Sequence, residues 1–178
     1  MALKSTIYKA ELQVADMDRN YYADHALTVA CHPSETAERM MVRVLVFALH
    51  AHERLAFGRG LSDVDDPDLA RRDLTGATEQ WIEVGQPDDR SVLKACGKAA
   101  EVLVYAYGTS TAQWWKQTGP KLLRARNLQV FGLDPEAVRA LAKMAARNMR
   151  LQCTIQEGDI WMRDDAQGVQ ISRTVLKQ

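Results

Sequence analysis

Cysteine is scarce. Cys31, Cys96 and Cys153 are the three in 178 residues, odd in number and far apart. Such spacing offers no disulfide framework, and with no signal-like N-terminus the thiols are expected to stay reduced in a cytoplasmic protein. Long apolar runs are missing as well. None approaches the roughly 20 residues that cross a bilayer, so no membrane role is expected. Neither sign of charge is in excess, since 23 Lys and Arg balance 23 Asp and Glu. That balance argues against a purely electrostatic nucleic-acid binder. Repeats, low-complexity tracts and linkers are not found, so residues 1–178 read as one domain, long enough to bury a substantial core.

Apolar residues form 47% of the chain and charged ones 26%, an ordinary soluble globular composition. The charge is unevenly placed: residues 1–90 hold 16 acids and 10 bases, residues 91–178 hold 7 and 13. From Lys116 to Arg150 eight bases stand against Asp134 and Glu136. A local basic surface suits a polyanionic partner such as nucleic acid. Scattered solvated faces account for the same residues equally well.

Residues 3–15 and 24–31 alternate polar and apolar around the turn sequence D-M-D-R-N, which predicts an N-terminal β-hairpin. A long helix is expected from Pro33, with Ser34 and Glu35 serving its first turn and Met41, Val44, Leu45, Ala48 and Leu49 as its buried stripe. Residues 60–70 read as an acidic loop. A short hairpin turning near 76–78 follows, returning along 81–84. Asp88 or Asp89 caps a helix running to about Tyr107. Residues 113–116 and 128–133 are strand candidates, Pro135–Arg150 is a third helix, and 151–156, 160–163 and 169–175 form a C-terminal β-meander. The fold class is α/β (α+β), a mixed β-sheet with flanking helices.

One stretch carries chemistry. In R-R-D-L-T-G-A-T-E-Q-W-I-E-V-G-Q-P-D-D-R-S-V-L-K-A-C-G-K, residues 71–98, Asp73 and Glu83 fall on the two strands of the hairpin and Lys94 on the helix that follows. Two same-facing carboxylates in a hairpin are roughly 5 to 8 Å apart, close enough to share one hard cation. A lysine beside them can orient a water or steady developing negative charge. Lys94, Lys98, Glu101 and Tyr105 make one polar stripe if the helix continues. Glu38, in helical register with Val42, Leu45 and Leu49, offers a third carboxylate along an apolar face, where an acid needs a metal or an arginine. The ordinary alternatives are an exposed strand acid at Glu83, a solvated helix face around Lys94, and a surface pair between Glu35 and Arg39. A zinc site from Cys31, His32, His50 and His52 is disfavoured, because His50 and His52 point to nearly opposite sides of a helix.

The strings M-A-L-K-S-T-I-Y-K-A, H-P-S-E-T-A-E-R-M-M, A-F-G-R-G-L, W-I-E-V-G-Q-P-D, K-A-C-G-K-A-A-E-V and L-Q-C-T-I-Q-E-G-D-I-W closely resemble the YaeQ family of bacterial proteins over the whole length. The resemblance implies a compact restriction-endonuclease-like, PD-(D/E)xK fold. It also implies a site with Asp73 as first acid and Glu83 as second, and the literal Pro67-Asp68 ranked behind Asp73. Where the motif has lysine this chain has Gly85, which makes Lys94 the replacement and Lys98 the reserve. Glu38 would be the helix-one acid, and Gln86, Arg39 and Arg43 accessory contacts.

Two classes of function are compatible with these residues. The first is a Mg²⁺- or Mn²⁺-dependent phosphodiesterase, a nuclease on DNA or RNA. In it Asp73, Glu83 and Glu38 hold the metal, Lys94 orients water, and Arg39 or Arg43 steadies the backbone. The second is a non-catalytic nucleic-acid- or protein-binding module that kept the fold.

Overall fold

The computed structural model describes residues 4–59 and 65–178. Its described elements are four helices and eleven strands in two mixed sheets. The expected single sheet is therefore two. The first sheet joins β1 (Thr6–Asp16), β2 (Tyr21–Cys31), β8 (Asn148–Gln156), β9 (Asp159–Arg163) and β10 (Gly168–Ile171) in the order β10-β9-β8-β1-β2. The second joins β3 (Leu55–Phe57), β4 (Leu69–Arg72), β5 (Thr78–Val84), β6 (Ala99–Ala106), β7 (Leu128–Leu133) and β11 (Arg173–Lys177) in the order β11-β7-β6-β5-β4-β3.

The opening hairpin forms as the alternation predicts, with Ala10 opposite Leu27 and Leu12 opposite His25. Ala10, Leu12 and Val14 are buried while Glu11 and Gln13 are exposed, so the first sheet turns one face inward and the other to solvent. The chain ends by changing sheets: β10 pairs with β9, but β11 crosses over to pair antiparallel with β7. The C-terminal meander is thus split.

Helix α1 (Ala37–Leu49) lies in the core between the sheets. Every residue from Met40 to Leu49 is buried. Arg43 apart, that stretch is apolar on all sides, and such a helix belongs to the interior because no face of it prefers water. The helix starts later than Pro33. Thr36 is its N-cap, accepting the Arg39 N–H on its hydroxyl at 3.1 Å, and Pro33 and Ser34 form a turn before it. Its other end lacks a basic residue of its own and is closed by Arg19, which donates to the carbonyls of Ala51 at 3.0 Å and Ala48 at 3.5 Å.

Helices α2 (Asp89–Cys96) and α3 (Thr111–Leu122) cover the opposite face of the second sheet. There Val92, Ala95 and Leu122 pack with Trp81, Val102, Val104, Leu128 and Val130. Helix α4 (Pro135–Ala142), capped by Asp134 with Pro135 in its first turn, packs on α1 through Ala137, Val138 and Leu141.

Three expected helices or strands change here. The helix from Asp88 ends at Cys96, and residues 99–106 are the central strand β6. The proposed stripe Lys94–Lys98–Glu101–Tyr105 is therefore not one helix face. Gly97 ends the helix, and V-L-V-Y is buried on both sides, so it shows a continuous apolar run instead of the alternation that marks a half-exposed strand. Residues 113–116 lie inside α3. The third helix stops at Ala142, and Asn148–Arg150 already belong to β8. Of the acidic loop expected over 60–70, residues 60–64 fall outside the described residues, while Leu69 and Ala70 already belong to β4.

Candidate functional site

The β4–β5 hairpin sets the geometry. Its ladder pairs Arg72 with Thr78, shifts by a bulge, then pairs Arg71 with Gln80 and Leu69 with Ile82. One residue beyond that last pair, Asp68 stands across from Glu83, and the Asp68 N–H donates to the Ile82 carbonyl at 3.0 Å. The first acid beside Glu83 is therefore Asp68, not Asp73. Asp73 sits at the hairpin tip, five residues and roughly 16 Å along the strand. Its N–H donates to Ala77 O at 2.9 Å, and its carboxylate accepts from the Thr75 N–H, the Thr75 hydroxyl and the Ala77 N–H at 2.8, 2.6 and 3.0 Å. Those bonds, the Thr75 hydroxyl foremost, hold its carboxyl below the usual range. Asp73 is the residue that closes the turn. A turn placed at 76–78 puts Asp73 near Glu83; the closure at 73–77 moves Asp68 there.

Asp68 is 4% exposed. Both of its oxygens are engaged: Oδ2 accepts from the Val84 N–H at 2.7 Å, and Oδ1 from Arg39 Nη2 at 2.6 Å. Pro67 immediately before it is buried too. Glu83 is half-buried and shares its strand face with Trp81, whose indole N–H donates to Oε1 at 2.7 Å. Burial, then the charge of Asp68 and a hydrogen bond with it, push the Glu83 carboxyl up to about 8. Two carboxyls at close range disfavour double ionisation, so the pair retains a proton at neutral pH.

Behind the pair lies a second charged layer. Glu35 is buried and accepts from Arg43 on both oxygens, at 2.7 and 2.8 Å. Arg43, 1% exposed, also donates to Ala30 O at 2.9 Å. Arg39 bridges the layers, donating to Glu35 Oε1 at 3.2 Å as well as to Asp68, and reaching the Val84 carbonyl at 3.5 Å. Burial opposes the charge on Arg39, but Asp68 and Glu35 outweigh it and raise its pKa. Glu35, the acid of α1's approach that joins this layer, was legible as the first of an E-x-x-x-R-x-x-x-R series at residues 35, 39 and 43.

The remaining candidates scatter. Glu38 is half-buried in the first turn of α1, two residues before continuous burial begins at Met40. It lines a crevice of about 180 Å³ with Tyr107, Thr109, Val138 and Arg139, whose walls include neither Asp68 nor Glu83. Lys94 is exposed on α2 and pairs with Asp65 Oδ1 at 2.7 Å. Lys98 lies 5.9 Å from the Trp81 ring centroid, behind the indole that holds Glu83. Gln86 donates to Tyr107 O and Ser110 Oγ, both at 3.0 Å, and so ties the loop after β5 to the loop after β6. Gly85, two residues after Glu83, has φ +106°, with nothing within 4 Å of an added Cβ. Space would admit a lysine there, but that backbone region is strained for any residue with a Cβ.

The histidines are dispersed. His50 meets the Tyr105 hydroxyl at 2.6 Å and is driven down to about 3 by burial and then by neighbouring arginines. His52 accepts from the Arg54 N–H, and His32 meets the Ser34 hydroxyl. Among the described residues no three His, Cys, Asp or Glu side chains converge as a metal cage. Mg²⁺ is commonly bound by only one or two carboxylates, with waters and substrate oxygens completing its shell. Asp68 with Glu83 fits that smaller requirement.

Comparison with known proteins follows the same outline from end to end. The family model described as YaeQ protein matches residues 1–173. An Escherichia coli K12 protein described as uncharacterized protein YaeQ is 46% identical over 179 residues, with 100% of this chain and 99% of that one covered. A Salmonella typhi protein of the same description is 47% identical over 100% of this chain and 99% of its own. The crystal structure of a YaeQ protein from Xanthomonas axonopodis pv. citri superposes with TM-score 0.93 at 50% identity, covering 96% of this chain and 97% of that one. One from Pseudomonas syringae superposes at 0.94 with 36% identity, covering 98% and 97%.

Proposed function

The chain belongs to the YaeQ family, and we propose that its Asp68–Glu83 pair is the divalent-cation site of a phosphodiesterase acting on nucleic acid. The observation that carries this reading is the confrontation of two carboxyls across β4 and β5, one of them proton-bearing at neutral pH. A strongly perturbed acid beside a charged partner at a strand end is a functional-site signature. The Pro67-Asp68 and Glu83 spacing also agrees with a restriction-endonuclease-like, PD-(D/E)xK arrangement.

In this reading Asp68 and Glu83 hold Mg²⁺ or Mn²⁺. The ion, when bound, would polarise a phosphoryl oxygen and acidify a water. The chain's own groups prepare the site. Val84 N–H and Arg39 fix the Asp68 carboxylate, and the Trp81 indole fixes Glu83. A cation held there would have to displace the Glu83 proton to solvent, so its binding is expected to strengthen as pH rises toward 8.

A second reading, a non-catalytic nucleic-acid- or protein-binding module, is favoured by Gly85 at the motif's lysine position and by Lys94 pairing with Asp65. Calorimetric titration with Mn²⁺ separates the two. The phosphodiesterase reading expects stoichiometric binding that is lost in Asp68→Asn and Glu83→Gln and kept in Asp73→Ala. No binding by the parent protein at millimolar metal favours the module.

A further inference from the structure

Among the described residues no lysine pairs with either of the site's two carboxylates, and the cation that does comes from helix α1. We propose that Arg39, presented by α1, is the phosphate-binding residue of this site, holding a non-bridging oxygen of a phosphodiester lodged over Asp68 and Glu83. The proposal rests on the reading of those two acids as a cation site and deepens it.

Of the arginines, lysines and histidines named above, Arg39 alone contacts the Asp68 carboxylate through its side chain. Its side chain is 16% exposed, whereas Arg43 at 1% is sealed beneath. Its donors are only partly used. A guanidinium offers five N–H groups, and those of Arg39 meet Glu35 Oε1, Asp68 Oδ1 and, at the limit of 3.5 Å, the Val84 carbonyl. The group is held rigidly. Glu35 is clamped on both oxygens by Arg43, and Asp68 is fixed by the Val84 N–H, so both carboxylates that hold the guanidinium are themselves anchored. A planar, preoriented fork with donors to spare is suited to a phosphate oxygen.

Charge explains why such a site would wait for its cation. Glu35 and Asp68 balance Arg39 and Arg43, so without an ion these four side chains leave no net positive charge. An anionic strand gains little there. A divalent cation supplies positive charge, and Arg39 then faces a phosphate with no surplus of carboxylate to repel it. The residue position that is backbone-strained at Gly85 is thereby served from the helix.

The test measures binding, not turnover. Anisotropy of a labelled single-stranded oligonucleotide is followed with and without Mn²⁺, while calorimetry reads Mn²⁺ itself. Expected are Mn²⁺-dependent strand binding by the parent and about tenfold weaker strand binding by Arg39→Gln. The slope of log affinity on log salt should fall by about one, Mn²⁺ affinity should be unchanged or tighter, and Arg39→Lys should recover part of the loss. Strand binding by Arg39→Gln equal to the parent's overturns the proposal. So does loss of Mn²⁺ and strand binding together in both variants, which would make Arg39 a brace for Asp68 only. A parent that binds no Mn²⁺ overturns the cation-site reading and this proposal with it, and is told apart by the calorimetric arm.

Discussion

Glu83 couples structure to pH through a single residue. Its carboxyl titrates near 4.5 in an unfolded chain and near 8 in the folded one, through burial and then the neighbouring Asp68. Between those values the native state binds the extra proton, so stability is fullest below pH 4.5 as far as this group is concerned, and is lost as pH rises through 8. Glu83→Gln removes the titration. The variant should gain about 2–4 kcal/mol relative to the parent when urea unfolding at pH 9 is compared with pH 5. Equal pH profiles for the two proteins would show that Glu83 ionises normally. At the same scale, Asp73 explains why one acid was misplaced in the sequence reading. An Asp followed by Thr and Gly can sit on a strand or close a turn on itself, and three hydrogen bonds to Thr75 and Ala77 decide for the turn.

Helix α1 is the element that links core to site. Its N-cap Thr36 binds the N–H of Arg39, so the same hydroxyl that starts the helix also anchors the arginine that reaches Asp68. Thr36→Ala should lower stability by about 1 kcal/mol, read as a lower denaturant midpoint at unchanged slope. A loss of several kcal/mol would mean the cap also holds the charged layer together. Strand β6 is the opposite lesson. Residues 99–106 were expected to extend the preceding helix, and the sequence contains no alternation to say otherwise, because β6 lies between β5 and β7 with helices on both faces of its sheet.

For the whole molecule, the main hydrophobic cluster takes residues from both sheets: Leu12, Leu151 and Ile160 from the first, Ile82, Leu103 and Phe131 from the second, with Val42, Leu45 and Val46 of α1 between them. No helix among the described residues is long and apolar enough to cross a membrane. A core shared in this way predicts one cooperative transition. Trp81, Trp114 and Trp115 report the α2–α3 side of the second sheet, so their fluorescence should melt at the same temperature as far-ultraviolet circular dichroism. A separate, earlier fluorescence transition would show that the α2–α3 layer opens independently of the core.

Local signals in the chain were enough for the N-terminal hairpin, the buried stripe of α1, the Asp88 and Asp134 caps, strand β7 and the face that Glu83 shares with Trp81. Each is written in periodicity, cap chemistry or an acid beside tryptophan, within a few residues of itself. The partner of Glu83, the division into two sheets, the crossing of β11 and the charged layer of Glu35, Arg39 and Arg43 required the folded chain. They depend on register and on contacts between residues far apart in sequence, and a slip of the β4–β5 turn by a few positions exchanges Asp68 for Asp73 without changing a single local preference.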